Sequence, residues 1–165
     1  MSGKELKTKT IQINVVEVKK LSYYEKLLDA FDERFEIDKK KIPVDFSIKF
    51  GIDFPNNLFT LELSVDFKNN NKNNLLFGIT TLHKFHISDV RLMLNELEDG
   101  KSSINKIFLA NLLGIAISGT RGMLAVLNTS EDYKDVYLPI INPMVIIENS
   151  KQNLIVVQEK KLSDL

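Results

Sequence analysis

The sequence of 165 residues contains no cysteine and no tryptophan. The absence of cysteine excludes disulfides, thiolate-bound zinc and a cysteine nucleophile. Neither charge is in excess, because 22 lysines and arginines balance 22 aspartates and glutamates. This neutrality argues against nucleic acid as the main partner, since nucleic-acid-binding domains usually carry a basic excess.

Targeting signals and long apolar runs are missing as well. The N-terminus, MSGKELKTKT, is charged, and the apolar stretch of a secretory signal does not follow it. No apolar run reaches the roughly 18 residues that a membrane span needs, so stable membrane insertion is not expected. We therefore expect one cytoplasmic domain over residues 1–165, with a core of about 7–149 and a tail of 150–165.

The first half of the chain predicts four antiparallel strands. TIQINVVEVKK predicts a strand over about 11–20, and LLFGITTLHKFHI predicts the fourth strand after the polar loop KNNNKNN. Between them, VDFSIKFGIDF and LFTLELSVDF alternate strictly and are separated by a PNN turn. Their apolar faces are Val44, Phe46, Ile48, Phe50, Ile52 and Phe54, and then Phe59, Leu61, Leu63, Val65 and Phe67. Such alternation indicates a sheet with one dry face and one solvated face.

The second half changes to a helical period. ISDVRLMLNELEDGK predicts a loop with a short helix closed by Gly100. Ser102 or Ser103 is then expected to cap a long helix that ends at about Leu127.

A short helix is predicted after the loop TSEDYKDVYLPI. Asn142 is expected to cap it and Pro143 to open it, with its end near Asn149. The predicted fold class is therefore α+β: a four-stranded antiparallel sheet, then a long helix, then a short C-terminal lid helix. Two flanking segments, the charged connector that contains Lys39, Lys40 and Lys41 and the tail NLIVVQEKKLSDL, carry no clear pattern.

Apolar residues surround the predicted long helix. At about 100° per residue, one side carries Ile104, Phe108, Ile115 and Val126, and nearly the opposite side carries Leu109, Leu113, Leu124 and Leu127. A helix that is apolar all round is buried on more than one side, whereas one sheet covers only one side. We therefore predict an oligomer with this interface: Ile104, Phe108, Leu112, Ile115, Gly119, Arg121, Gly122 and Met123.

The segment SGTRG within this helix suggests a phosphate loop, but its spacing fits neither a P-loop nor a dinucleotide fingerprint. Amides in the middle of a helix are also not free to bind an anion. We interpret Gly119 and Gly122 as points of close packing. Arg121 is interpreted as a buried or interface cation with a carboxylate or carbonyl partner.

The remaining polar residues do not form a recognisable reactive centre. His83 and His86 are three residues apart in a predicted strand, so they point to opposite faces and are not expected to share a metal. Glu131 and Asp132 are interpreted as solvated loop residues. We expect no cofactor, no metal and no enzymatic activity. One alternative is a small-molecule-binding or enzymatic α+β domain in which Arg121 and a histidine line one cleft. Another is a structural adaptor that binds one folded or disordered partner through an apolar surface.

The segment VYLPIINPMVII concentrates apolar side chains around two prolines. A loop this apolar either closes a core or offers a surface to other polypeptides, and aromatic and methionine side chains suit an adaptable groove. The predicted client-binding residues are Phe46, Phe50, Phe54, Tyr137, Leu138, Ile140, Ile141 and Met144.

The order of these elements resembles that of the SecB-type protein-export chaperones. The resemblance covers about residues 7–149 and is carried by IQINVVEVKKLSYY, the alternating second and third strands, Arg121-Gly122, and Leu138-Pro139 followed by Asn142-Pro143. Family members have a similar RG pair in the first helix and an LxPVNF-like segment before the second. The resemblance implies an ATP-independent holdase for unfolded polypeptides. It also implies a homo-tetramer with its long helices between sheets, and client grooves lined by the second strand, both helices and their loops.

The same resemblance leaves two client classes open. Export chaperones of this type tend to be acidic and dock on the translocase motor through carboxylates on the sheet, and the neutrality of this chain disfavours that docking. Relatives of the family serve as chaperones for the antitoxins of toxin–antitoxin systems. The client is therefore expected to be either an exported polypeptide or an antitoxin.

Overall fold

A computed structural model of the chain describes residues 10–26, 41–69, 74–97 and 102–150. Four antiparallel strands form one sheet in the order β1-β4-β3-β2: β1 (Ile13–Glu25), β2 (Val44–Asp53), β3 (Leu58–Lys68) and β4 (Leu75–Ile87). The predicted four-stranded sheet is thus confirmed, with β1 and β2 at its edges. The predictions for Lys39, Lys40, Gly100 and the tail lie outside the described residues.

The central strand β3 shows why the alternating pattern was informative. Its inward side chains are all buried: Phe59, Leu61, Leu63, Val65 and Phe67. The ring of Phe67 stacks on that of Phe77 in β4, with centroids 4.1 Å apart. Apolar burial of this kind contributes about 25 cal/mol per Å², so β3 and β4 form the base on which the helices pack.

The edge strand β1 departs from the prediction in both bounds. It runs from Ile13 to Glu25, and its pairing with β4 shifts between Val15 and Glu17 and again between Lys20 and Ser22. Each shift inserts a residue and moves the following side chains to the other face. Because of these two shifts, the second half of the strand does not follow the alternation of the first half, and a search for a strict period of two does not detect it.

The predicted N-cap of the long helix is wrong. After a 3-10 turn (Val90–Met93), the short strands β5 (Leu94–Glu96) and β6 (Ser102–Ile104) pair with each other. Ser102 and Ser103 therefore lie in β6, and the helix is capped by Asn105, whose Oδ1 accepts hydrogen bonds from the amides of Ile107 and Phe108. Of the predicted short helix in this segment, only the 3-10 turn is present among the described residues.

Two α-helices complete the fold, α1 (Lys106–Leu127) and α2 (Pro143–Asn149). The predicted cap of α2 is confirmed, since Oδ1 of Asn142 accepts from the amide of Met144 at 3.0 Å. α1 lies across β3 and β4 and also contacts α2. Its length and composition would permit a membrane span, contrary to the expectation from apolar runs. In this structure, however, it is a core helix with these buried residues: Leu109, Leu112, Leu113, Ala116, Ile117, Thr120 and Leu124.

Candidate functional site

A groove of about 430 Å³ lies between the edge strand β2 and the helix α2. Its lining is Val44, Asp45, Phe46, Ile141, Val145, Ile146, Asn149 and Ser150. We refer to it as the edge groove. Valine, isoleucine and phenylalanine side chains form its floor, and the polar groups of Asp45 and Asn149 lie among them. A concave lining that combines apolar side chains with exposed polar groups suits a peptide, which presents both kinds of group.

The edge of β2 makes this groove suitable for an extended chain. β2 pairs with β3 in an unbroken register from Val44 to Asp53, and no other strand of the described residues lies beside it. Along Val44–Phe46, backbone groups that point away from β3 therefore border the groove. An added strand binds such an edge through main-chain hydrogen bonds, while pockets select its side chains.

The opposite edge of the sheet is built differently. β1 carries two register shifts and the adjacent exposed lysines Lys19 and Lys20. Bulges and lysines are the devices by which natural edge strands resist pairing with other chains. Of the two edge strands of the described sheet, β2 is therefore the one that combines a regular edge with a neighbouring groove.

The loop between the helices is held in place by side chains that bind its carbonyl groups. The Nδ2 of Asn128 donates to the carbonyl oxygens of Tyr133 (2.6 Å) and Val136 (3.2 Å). Nε and Nη2 of Arg121 donate to those of Leu138 (3.1 Å) and Pro139 (2.8 Å). The predicted carbonyl partner of Arg121 is therefore confirmed, and the arginine joins α1 to the loop that leads into α2.

The rear of this loop is anchored through a tyrosine. The Tyr133 ring packs against Phe77, with centroids 4.9 Å apart, and its hydroxyl donates to the carbonyl oxygen of Lys26 at 3.0 Å. Two polar atoms of the same loop, Asn128 Oδ1 and Ser130 Oγ, are buried without a hydrogen-bond partner in the described residues. The loop is thus fixed at its base, while Tyr137 and Ile140 remain 69% and 95% exposed.

The predicted client-binding residues fall into three groups in the structure. Phe46 and Ile141 meet in the edge groove, and Phe50 and Phe54 continue the same face of the sheet, half-buried. Tyr137 and Ile140 are exposed at the tip of the loop. Met144 lines a second groove described below.

Leu138 is a correction, because its side chain is buried in the core and only its carbonyl is used, by Arg121. A buried side chain has no surface left for a client. Val44, Val145 and Ile146 line the groove but were not among the predicted client-binding residues. Val145 and Ile146 precede Asn149 by four and three residues in α2, so the three lie on one side of the helix, which was the available signal.

A second groove, of about 580 Å³, separates the N-terminal half of α1 from the start of α2. Its lining is Ile107, Ala110, Asn111, Gly114, Ile115, Ser118, Asn142, Pro143 and Met144. A third apolar surface lies at the other end of α1, around Met123, Val126 and Lys20 of β1. The second groove lies on the side of α1 that the sheet does not cover, and the third surface lies at the flank of α1, next to β1.

The residues predicted for the oligomer interface differ in their exposure. Ile104 lies in β6 and Leu112 on the sheet side of α1, and both are buried within the chain, so these two predictions are wrong. Ile115 and Gly122 are exposed, and the side chains of Phe108, Arg121 and Met123 are half-buried. The helical period identified both sides as apolar but did not indicate which side faces the sheet.

The two glycines of SGTRG have different surroundings. A Cβ at Gly119 would lie 3.1 Å from Cε1 of His83, so the predicted close packing is confirmed there. A Cβ at Gly122 would meet nothing within 4 Å, so the same prediction is wrong for Gly122 within this chain. SGTRG lies within α1, and no free helix terminus is present there for an anion.

His83 is buried beneath α1 and bonded to hydroxyl groups. Its Nε2 lies 3.0 Å from Oγ1 of Thr81 and 3.4 Å from Oγ1 of Thr120, and the two hydroxyls lie 2.8 Å apart. Burial lowers the pKa of His83 below its ordinary value, because desolvation disfavours the imidazolium ion. This arrangement joins β4 to α1 with a neutral imidazole.

The histidines do not form a metal site in the described part of the chain. His86 is exposed on the opposite face of β4 from His83, and no group of three potential metal ligands is found among residues 10–26, 41–69, 74–97 and 102–150. Arg121 is bonded to loop carbonyls and His83 to threonines. The cleft that the enzymatic alternative predicted, with Arg121 beside a histidine, is therefore not formed by these contacts.

Comparisons with known proteins give only distant likenesses. No protein-family model matches the sequence, and no curated protein matches it. Among solved structures, a similar one is the Mycobacterium tuberculosis SecB-like chaperone Rv1957 in complex with a ChAD peptide from the Rv1956 HigA1 antitoxin. It is 10% identical, with a TM-score of 0.39, and the alignment covers 78% of this chain and 89% of that chain.

A second similar structure is a protein of unknown function from Streptococcus agalactiae. It is 15% identical, with a TM-score of 0.34, and the alignment covers 80% of this chain and all of that one (100%). Likenesses at these TM-scores do not assign the chain to a family. The SecB resemblance therefore stays a prediction from the sequence.

Proposed function

We propose that the protein is an ATP-independent chaperone that binds extended, apolar segments of non-native polypeptides in the edge groove. The observation that carries this proposal is the combination of a regular strand edge at Val44–Phe46 with an apolar wall from Ile141 and Val145. Such a site selects for extended backbone and apolar side chains and requires no nucleotide, metal or reactive group.

The exposed tip of the loop extends this site. Ile140 and Tyr137 stand clear of the core, although the loop beneath them is held by Asn128 and Arg121. Large apolar side chains on a fixed loop provide contact area without the entropic cost of ordering the loop on binding. We infer that they contact the parts of a client that leave the groove.

The proposal includes a homo-tetramer in the cytoplasm, assembled through the uncovered side of α1. Ile107 and Val126 are 67% and 75% exposed on that side, and the two surfaces along α1 are apolar. A second copy would cover them. Antitoxins and exported polypeptides are the two client classes that we propose from the sequence resemblance.

Suppression of aggregation tests the chaperone proposal. A chemically denatured test protein is diluted into buffer without nucleotide, and light scattering is followed with increasing amounts of this protein. We expect scattering to fall by most of its amplitude at a stoichiometric excess. Unchanged scattering at that excess would contradict the proposal.

Two matched variants locate the site. Val145 lies in the edge groove and Val16 on β1, and they are exposed by 46% and 58%. Val145→Asp is expected to weaken suppression about tenfold or more, because it places a charge among the apolar side chains that wall the groove. The aspartate falls in the first turn of α2, where an acid is tolerated. Val16→Asp should suppress aggregation as well as wild type does. If both variants lost suppression equally, the edge groove would be excluded as the site.

A further inference from the structure

The sulfur atoms of the chain all belong to methionine. The sequence has four methionines and no cysteine. A cysteine thiolate, where one is present, is a ready target for a mild oxidant. Without it, oxidation at sulfur is directed to the methionine thioethers, which become sulfoxides.

Three of the four methionines lie in the described residues, and their surroundings differ. Met93 is enclosed in the core at 0% exposure. Met144 lines the groove between α1 and the start of α2, and Met123 lines the apolar surface at the flank of α1 next to β1. Both of these side chains are half-buried. The structure therefore separates two sulfurs that border open apolar surfaces from one that the core protects.

Neither Met123 nor Met144 is needed as a thioether for the local fold. Leucine and methionine have similar helix propensities, and exchanging one for the other in a packed site usually has a small effect on stability. At the start of α2, the bond from Met144 to Oδ1 of Asn142 is made by the backbone amide, at 3.0 Å. What methionine adds over leucine is a side chain whose polarity an oxidant changes.

We propose that Met123 and Met144 are modification sites that hydrogen peroxide or a related two-electron oxidant converts to sulfoxides. A lone pair of the thioether sulfur attacks one oxygen of the peroxide, so an S–O bond forms and the O–O bond breaks. The sulfur loses two electrons to the peroxide, and the proton of the transferred oxygen passes to the departing hydroxide, which leaves as water. A methionine sulfoxide reductase reverses the change with a dithiol, which becomes a disulfide as the oxygen leaves in water.

Oxidation at these two sites changes the apolar surfaces of α1 and leaves the core intact. Ile107 and Ile115 line the same groove as Met144, and Val126 lies beside Met123. A sulfoxide is polar, and burying a polar group without a hydrogen-bond partner is unfavourable.

A second copy would cover these surfaces in the proposed assembly, so each sulfoxide is expected to weaken assembly about tenfold. Peroxide would reach the sulfurs when copies separate, and oxidation would keep them apart. This effect rests on the proposed function, whereas the assignment of the two modification sites does not.

Peptide mapping tests the assignment. The full chain is treated with hydrogen peroxide, catalase stops the reaction at intervals, and mass spectrometry after digestion gives the oxidised fraction of each methionine. We expect Met123 and Met144 to react about tenfold faster than Met93 or more, because peroxide does not reach a sulfur in a close-packed core. The same treatment in urea is the control, since unfolding should bring the three rates together. Equal rates in the folded chain would overturn the assignment.

Matched variants test the effect on assembly. Met123→Leu combined with Met144→Leu keeps both surfaces apolar and removes their sulfurs, whereas Met93→Leu removes the buried one. We expect peroxide to convert wild type and Met93→Leu from tetramer to smaller species, measured by light scattering after size exclusion, and to leave the double leucine variant unchanged. Met123→Gln combined with Met144→Gln makes both side chains polar and should give smaller species without peroxide.

Two results would overturn the effect on assembly. One is a wild-type tetramer that persists after both methionines have been oxidised. The other is an equal loss of assembly in the double leucine variant, which would place the sensitive group elsewhere.

This inference and the proposed function fail in distinguishable ways. A wild-type monomer before oxidation would remove the assembly and the effect on it, and the peptide map would still show whether Met123 and Met144 are the oxidised residues. A tetramer that suppresses aggregation, but in which both residues react no faster than Met93, would retain the proposed function and overturn the inference.

Discussion

Both sides of α1 carry large apolar residues, but the two sides have different surroundings. Toward the sheet, Leu112, Leu113 and Ala116 are fully buried, whereas Ile107 and Val126 on the other side remain largely exposed. A helix pattern shows how much apolar surface exists and not what covers it. The buried side of α1 therefore stabilises the fold of the single chain, whereas the exposed apolar side is available for contact with another chain.

Truncation of one apolar side chain on each side should give the largest contrast in stability. Leu113→Ala opens a cavity between α1 and the sheet and should lower the free energy of unfolding by about 2–5 kcal/mol. Ile107→Ala removes a side chain that is already solvated in the single chain, and we expect a change within about 0.5 kcal/mol. Urea unfolding of dilute protein measures both. Similar decreases in the free energy of unfolding would mean that both sides of α1 are buried in the folded chain.

Assembly, unlike stability, should depend on the exposed side of α1. Val126→Asp places a charge on the uncovered side of α1 and is expected to reduce the particle mass from tetramer to smaller species, measured by light scattering after size exclusion. Ile140→Asp, which changes an even more exposed residue on the loop, should keep the tetramer. A wild-type monomer would contradict the proposed assembly, and a Val126→Asp tetramer would exclude this side of α1.

The sheet-facing side should also be sensitive to pH. Burial lowers the pKa of His83, so between about pH 6.5 and that lower value the unfolded chain binds a proton that the folded chain does not. Stability should therefore fall as pH decreases below about 6.5, by at most about 1.4 kcal/mol per pH unit. His83→Gln should remove this slope, and His86→Gln, on the solvated face, should retain it. An unchanged slope in His83→Gln would show that another group is responsible.

The glycines of α1 should show the smallest contrast. Gly122→Ala adds a methyl group in open space and is expected to stabilise the chain by up to about 1 kcal/mol. Gly119→Ala places its Cβ 3.1 Å from a histidine ring that is bonded to Thr81, so we expect this variant to be less stable than wild type. Thermal unfolding of the two variants in parallel measures the difference. A higher stability of Gly119→Ala would mean that the His83 ring moves away from the new methyl group at little cost.

The sequence predicted what depends on local pattern. β2, β3 and the cap of α2 at Asn142 were correct because alternation and capping chemistry are encoded within a few residues. The N-cap of α1 was wrong because Ser102 and Ser103 have suitable side chains, but pairing with β5 places them in a strand. Only a contact with another segment distinguishes these serines from Asn105.

The candidate site was predictable only in part. Phe46 and Ile141 were identified because apolar excess marks a surface, and the structure brings them into one groove. Leu138 and Leu112 have the same chemistry but are buried, and side-chain type does not distinguish the two outcomes. The difference between the edges of the sheet depended on register shifts in β1, which a period of two does not show.

The bond between the Tyr133 hydroxyl and the carbonyl of Lys26 spans 107 positions of the chain. Closing such a long loop is entropically unfavourable until other contacts have brought its ends together, so this bond is expected to form late in folding. Synthesis must pass Tyr133 before the end of β1 and the loop after α1 can meet. A ribosome-bound chain that stops short of this residue would already contain all four strands of the sheet and the long helix, but the end of β1 would still lack the bond that ties it to the loop after α1.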